Sequence, residues 1–211
     1  QSEGYDYISV AHHKDDQAES ILAHIIRGSG LNGLTGMSVV QSEYAIPVVR
    51  PLLDVTKEDL LAYIGTKHIS YCVDSTNEDV RYQRNRIRHR IIPELEAVNP
   101  AVVDAIVRLG SSVNEDVMVI SDLTSRTFDK LVSIGDDEVR ISRRALRQEP
   151  LAIQRRLWQR LVSTIDSDLT LTSAHQEQLL DIVNTGEKKT FTIKSIKVIA
   201  QCDTIKVYCK H

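Results

Sequence analysis

Residues 9–37, "SVAHHKDDQAESILAHIIRGSGLNGLTGM", decide how this chain is read. They follow directly from "DYISVA" (6–11), whose β-branched and aromatic residues predict a strand entering a sheet core. Ala18, Ile21, Leu22, Ile25 and Ile26 then recur at helical spacing, which predicts an amphipathic helix over about 15–27. Four glycines follow and end that period, because glycine admits backbone angles that other residues resist. Two histidines and two aspartates therefore stand where a strand gives way to a helix. In an open α/β sheet that junction is where ligands bind.

Working outward, "AIPVVRPLL" (45–53) predicts a second extended segment, with Pro47 and Pro51 confining it to an edge or an irregular end. Thr56 and Asp59 resemble a capping box at the start of a helix that should run to about Lys67, with Leu60, Leu61 and Ile64 inward. "CVDSTNED" (72–79) is rich in turn formers, and "VRYQRNRIRHRIIPEL" (80–95) predicts a helix as far as Pro93. Strand, helix, strand, helix is the order of an α/β domain with a parallel sheet.

Past Asn99 and Pro100 the pattern changes. Val102, Val103, Ile106, Leu109, Val113, Val117, Ile120 and Leu123 predict a long helix to about Val132. A short strand at 138–141 and helices near 151–165 and 173–183 should follow. The alternating tail "KTFTIKSIKVIAQCDTIKVYCK" predicts antiparallel strands turning near Ser195 and Asp203. The expected organisation is thus an incomplete Rossmann-like α/β domain over 1–95, then a mainly helical domain over 96–211 with a short antiparallel β tail.

Composition narrows the function. With 211 residues and 42% hydrophobic content, the chain can bury a core for one large or two small domains. No run approaches the roughly 18 apolar residues of a membrane span, and "QSEGYDY" lacks the charged and apolar regions of a signal peptide. Three scattered cysteines suit neither a disulfide framework nor a zinc site, so a reducing cytoplasm is the expected compartment. The net charge of −3 is unevenly spread: residues 1–80 carry five basic against twelve acidic side chains, and residues 81–94 carry five arginines against one glutamate. That arginine cluster is where a phosphate-bearing partner would be met.

Taken as residue chemistry, a carboxylate at Asp15 or Asp16 can hold Mg²⁺ on a nucleotide's phosphates or accept a proton from a nucleophile. Glu19 lies one turn further along the face of Asp16. The same aspartates would also complement a helix dipole, with His12 and His13 capping or packing, and a zinc site is a third reading of these types. "GSGLNGLTG" lacks the Lys-Ser/Thr ending of a Walker loop and is weak evidence for phosphate binding by itself. Arg84 and Arg88 are four apart and share one helical face; Arg86 and Arg90 share another. Guanidinium suits phosphate because its planar donors bond in pairs and its charge persists. Each arginine could equally belong to a solvated basic face, as could Arg155, Arg156 and Arg160 further along, while Trp158 is a core candidate.

Together, "AHHKDDQAES", "RGSGLNGLTGM", "RPLL" and "YQRNRIRHRIIPEL" resemble, in order, the motifs of the tRNA(Ile)-lysidine synthetases of the PP-loop ATP pyrophosphatase superfamily. The resemblance spans 11–95, and the layout beyond is similar to that family's next domain. It implies an ATP-dependent carbon–nitrogen ligase: ATP activates C2 of the wobble cytidine of tRNA(Ile), and the side-chain amine of free L-lysine displaces AMP. Asp16, Glu19 and Arg84 become the implied catalytic residues, with Asp16 as the Mg²⁺ ligand. His12, His13, Asp15, Asn85 and Arg88 are implied for ATP or substrate, and Arg86, Arg90, Arg155 and Arg156 for tRNA. A homodimer is a further expectation. The family's "SGGxDS" phosphate loop does not occur in these residues, so the chain is expected to be a piece of a longer protein with little activity alone. Ser20 stands where the family usually has threonine, and Ser75 in "DSTN" where proline is common. A noncatalytic RNA-binding module using Arg84 to Arg90, or another PP-loop enzyme such as a tRNA thiolase or an amidotransferase, are the competing readings; no cysteine accompanies the acidic motif, which disfavours a thiolase.

Overall fold

The computed structural model describes residues 4–42, 44–71, 81–135, 138–185 and 187–209. The turn-rich stretch at 72–79, "DSTN" and Cys72 lie outside the described residues. The chain divides into two compact units, Gln1–Val117 and Met118–His211.

In the first unit, strand β1 (Ile8–Ser9) pairs in parallel with β3 (Val48–Val49), and β2 (Val40–Gln41) pairs antiparallel with β3 on its other side. Two expectations are corrected. β1 is only two residues long and both are exposed, so 6–11 is an edge and not a core strand. β3 is central, although prolines flank it. The reason is visible in the ladder: Pro47 has no N–H to offer, but its carbonyl accepts from Ile8 N at 2.9 Å, and Arg50, between the prolines, donates its N–H to the Val39 carbonyl at 2.8 Å.

Helix α1 (Lys14–Ile26) follows β1 and buries Ala18 and Ile21 fully, while Ile25 and Ile26 are exposed. It stops in a Schellman turn. Ser29 N donates to the His24 carbonyl and Gly28 N to the Ile25 carbonyl, with Gly28 at φ +76°. The glycine segment is not featureless: α2 (Leu31–Leu34) forms inside it. Helix α3 (Lys57–Lys67) is capped by Thr56, whose hydroxyl accepts from Asp59 N at 3.1 Å and donates to the Asp59 carboxylate at 2.6 Å. Leu60 and Ile64 of α3 are half-buried and Leu61 is exposed.

The arginine stretch forms α4 (Gln83–Arg86), a π-helical turn (Ile87–Ile91) and α5 (Ile92–Val98). The helix was expected to stop at Pro93 and instead continues past it. Pro93 cannot make the usual bond to the carbonyl four residues back and crowds it. The wider turn, with Ile92 N donating to the Ile87 carbonyl five residues back, relieves that conflict. Helix α6 (Val102–Leu131) begins in this unit, and Leu109 and Leu123 are exposed rather than inward.

The second unit holds the larger core. Strands β4 (Val132–Ile134), β5 (Val139–Ser142), β6 (Lys189–Ile193), β7 (Ile196–Gln201) and β8 (Thr204–Cys209) form one antiparallel sheet in the order β4-β5-β8-β7-β6. Helices α7 (Arg143–Gln148), α8 (Leu151–Ile165) and α9 (Ser173–Asn184) contribute Leu146, Leu157, Leu161, Leu179 and Val183 to that core. Trp158 is buried in the same core. The alternating tail faces inward at Ile196, Val198, Ala200, Ile205 and Val207, as its period requires.

Candidate active site

The acidic motif emerges at the carboxyl end of β1, beside the carboxyl end of the parallel strand β3. Val10 N donates to the Val49 carbonyl, His13 bridges to Leu52, and Lys14 N donates to the Val55 carbonyl. The two segments thus stay bridged through the start of "HHKDD" and "RPLL". α1 starts at once, and Asp16 closes its first turn by accepting from His13 N at 3.0 Å.

Asp16 and Glu19 then point along one face of α1 to the arginines of the π-containing helix. Arg88 grips Glu19 with two donors, Nε to Oε1 at 2.5 Å and Nη2 to Oε2 at 2.9 Å, while Nη2 also reaches Asp16 Oδ1 at 2.7 Å. Arg84 bridges both acids, Nε to Glu19 Oε2 at 2.9 Å and Nη2 to Asp16 Oδ1 at 2.8 Å. Two carboxylates and two guanidiniums therefore form one neutral cluster. Glu19 is 1% exposed, whereas the Arg84 side chain is 49% exposed. The hydrogen bonding that Arg88 donates to Glu19 raises the arginine's pKa above its ordinary value. Arg84 is the member that can leave; Glu19 is the one that cannot.

The cluster's partners restrict its chemistry. Asp16 Oδ1 accepts from both arginines, and Oδ2 accepts from His13 N and lies 3.4 Å from His13 Nε2. A carboxylate has about four lone-pair positions, and all four directions here face nitrogen. A Mg²⁺ ion would have to displace a guanidinium to reach Asp16, so this donor set does not fit an open metal site. Among the described residues, no group of three or more His, Cys, Asp or Glu could hold a metal ion.

Asp15, one residue earlier and about 100° around the helix, faces elsewhere. Its Oδ2 accepts from Lys57 N at 2.9 Å, capping α3, and lies 3.2 Å from His13 Nδ1. The close approach of the His13 ring, then the hydrogen bond from Lys57 N, holds its pKa down at about 2. His12 is half-buried; burial above all lowers its pKa, with Arg84, Arg50 and His13 acting the same way against the pull of Asp16. Asn85 is half-buried, and Arg86 and Arg90 are exposed on the face away from Arg84 and Arg88. In the second unit Arg155 is exposed, and Arg156 donates to the Ala152 carbonyl of its own helix at 3.2 Å.

Two residues absent from the expected site organise it. Gln17 reads the backbone of Met37 from both sides, Nε2 to its carbonyl at 3.0 Å and Oε1 from its N–H at 2.7 Å, which closes the glycine segment over α1. A cavity of about 420 Å³ opens beside it, lined by Met37, Val39, Leu53, Asp54 and Glu115 among others. Arg50 of "RPLL" is buried and donates to His12, Ser38 and Gln41. Its place in a motif was the available signal, because nothing in composition marks one arginine as buried.

This arrangement, acidic helix and basic helix meeting at the carboxyl ends of parallel strands, agrees with the family comparison, in which a PP-loop domain matches residues 1–95. Residues 1–95 belong to the PP-loop family. The chain is also similar to proteins named tRNA(Ile)-lysidine synthase. That of Porphyromonas gingivalis (strain ATCC 33277) is 44% identical over 135 residues, covering 64% of this chain and 29% of that protein. That of Caldanaerobacter subterraneus is 29% identical over 207 residues, covering 97% of this chain and 42% of that protein. That of Bacillus subtilis is 30% identical over 184 residues, covering 86% and 39%. The chain thus spans less than half the length of these relatives, and the similarity to the latter two runs past the PP-loop domain into the second unit.

Proposed function

We propose that this chain supplies the acid–guanidinium half of the active site of a tRNA(Ile)-lysidine synthase, a ligase that joins lysine to the wobble cytidine of tRNA(Ile) at the expense of ATP. The observation that carries this reading is the meeting of Asp16 and Glu19 with Arg84 and Arg88 in one cluster, in a chain related over nearly its whole length to enzymes of that name. In this reading ATP adenylates the cytidine at O2 with loss of pyrophosphate, and the lysine amine attacks C2 and displaces AMP.

The residues divide the work by exposure. Glu19, fully buried and gripped at both oxygens, is an anchor that holds Arg88 in place. Arg84, half exposed, exchanges a carboxylate for a phosphate oxygen when the nucleotide arrives, since guanidinium binds both with the same fork. That exchange frees Asp16 Oδ1 to take the lysine ammonium and assist its deprotonation. Mg²⁺, when bound with ATP, would supply charge neutralisation at the phosphates. Arg86, Arg90, Arg155 and Arg156 are assigned to the tRNA backbone. The competing RNA-binding module would use Arg88 as a free phosphate contact too, and its paired bonds to buried Glu19 speak against that use.

The test has two arms. Incubated with tRNA(Ile), ATP and labelled lysine, the 211-residue chain alone is expected to incorporate little or no label, because "SGGxDS" does not occur in it. Mixed with a segment bearing that loop, it is expected to incorporate lysine, and Asp16→Asn or Arg84→Ala is expected to reduce the rate at least 100-fold. tRNA binding without ATP consumption in the mixture would support the binding-module reading instead.

A further inference from the structure

Arg50 is an unusual use of a guanidinium. It is 9% exposed, and its side-chain acceptors among the described residues are all uncharged: His12 Nδ1 from Nε at 3.2 Å, the Ser38 carbonyl from Nη1 at 3.0 Å, and Gln41 Oε1 from Nη2 at 2.8 Å. Burying a cation is costly, so the arrangement needs a return. Its backbone N–H also donates, to the Val39 carbonyl at 2.8 Å. The residue therefore ties the end of β3 to the segment leading into β2 and to the first histidine of the acidic motif.

Arginine has donors and no acceptor. The nitrogen of His12 that faces it must be the bare one, and a neutral imidazole then carries its proton on Nε2. We infer that Arg50 is a positioning residue that fixes His12 as the uncharged Nε2–H tautomer, making that N–H a donor to a phosphoryl oxygen bound at the acid–guanidinium cluster. The second half rests on the reading of that cluster as a nucleotide site. Three facts support the pairing. Nε2 is directed away from Arg50 by the geometry of the ring. His12 lies within the electrostatic reach of Asp16 and Arg84. Burial disfavours the charged imidazolium.

A neutral donor has an advantage here. It can bond an oxygen that gains negative charge without adding a third cation to an already balanced cluster, and it is preorganised because its other nitrogen is held.

The tautomer is directly observable. In the ¹⁵N-histidine-labelled chain at neutral pH, with His12 assigned by His12→Gln, Nδ1 is expected at an unprotonated shift and Nε2 at an N–H shift. Arg50→Met is expected to move both toward averaged values. Gln41→Leu removes the acceptor of Nη2 while leaving the Nε bond, and is expected to keep the tautomer. A wild-type spectrum with the proton on Nδ1 or on both nitrogens overturns the inference even if Arg50→Met does not fold; so does a folded Arg50→Met variant with unchanged His12 signals. Titration with ATP, in the mixture with the segment that bears the "SGGxDS" loop, then reads the donor role. His12 Nε2 is expected to shift, and ATP affinity to fall roughly tenfold in Arg50→Met, about the loss of one hydrogen bond to a charged group. If ATP shifts the Arg84 and Arg88 side-chain signals and leaves His12 unmoved, the donor role falls and the cluster stands; if it moves none of them, both fall while the tautomer result remains.

Discussion

Glu19 shows how a buried acid links stability to the site. Removing Arg88 takes two of its three guanidinium bonds and leaves that from Arg84; breaking a buried pair costs about 3–5 kcal/mol, whereas an exposed partner costs far less. Arg88→Met is therefore expected to lower the urea-unfolding free energy by roughly 3 kcal/mol, and Arg84→Met, half exposed in the wild type, by about 1 kcal/mol or less. Equal losses would mean that Glu19 does not depend on Arg88. Asp15 gives the matching pH test. Its folded pKa, about 2, is depressed below the unfolded value, so its contribution is complete above the ordinary carboxylate range and disappears as pH falls toward 2. The stability gap between the wild type and Asp15→Asn is expected to narrow steadily on acidification from pH 5 to pH 2. A gap that stays constant across that range would show that the carboxylate's contact with His13 and its bond from Lys57 N do not set it.

Elements in the first unit are held at their ends more than by their faces. α3 ends in the same Schellman geometry as α1, with Ile69 N donating to the Ile64 carbonyl, but the residue at positive φ is His68 at +51°. A side chain there is strained, so His68→Gly is expected to stabilise the chain by about 0.5–1 kcal/mol, read as a higher thermal midpoint. Gly36 is the opposite case. Its φ is +72° and an added Cβ would stand 2.7 Å from the Gln17 amide. Gly36→Ala is expected to cost about 2 kcal/mol and to expose the Met37 amide to hydrogen exchange, since both strain and the lost Gln17 bonds act together. The short strands explain why element limits were only partly legible. The helices over 14–26, 57–67, 151–165 and 173–184 carry apolar periods that local sequence displays, and Thr56 and Thr172 cap the second and the last. β2, with two residues, and the π turn before Pro93 have no such local mark; the first depends on Val40 meeting Val49, and the second on resolving a proline within a helix already committed to its arginines.

At the scale of the whole molecule, the two units differ in how they are built. Nineteen buried apolar residues form one core in the second unit, whereas the buried set of the first includes Asp16, Glu19 and Arg50 beside Ala18, Ile21, Leu53, Ile87 and Ile92, among the described residues. Apolar burial is the larger stabilising term, so amides of β7 and β8 are expected to exchange with solvent most slowly and those of β1 and β2 fastest. Protection in β1 equal to that in β7 would contradict this ordering. No helix among the described residues is long and apolar enough to cross a membrane.

What the sequence by itself determined were the features written in local order: the helical and alternating periods, the succession of strand and helix, and the acidic and arginine-rich motifs, four residues of which proved to share one cluster. What only the tertiary structure decided was which atoms meet. Glu19 and Arg88 are 69 positions apart and Arg50 and His12 are 38 apart. Spacing along a chain sets which face a side chain occupies, but which face it meets depends on how the strands and helices pack, and burial of a charge has no signature until its partner arrives from elsewhere.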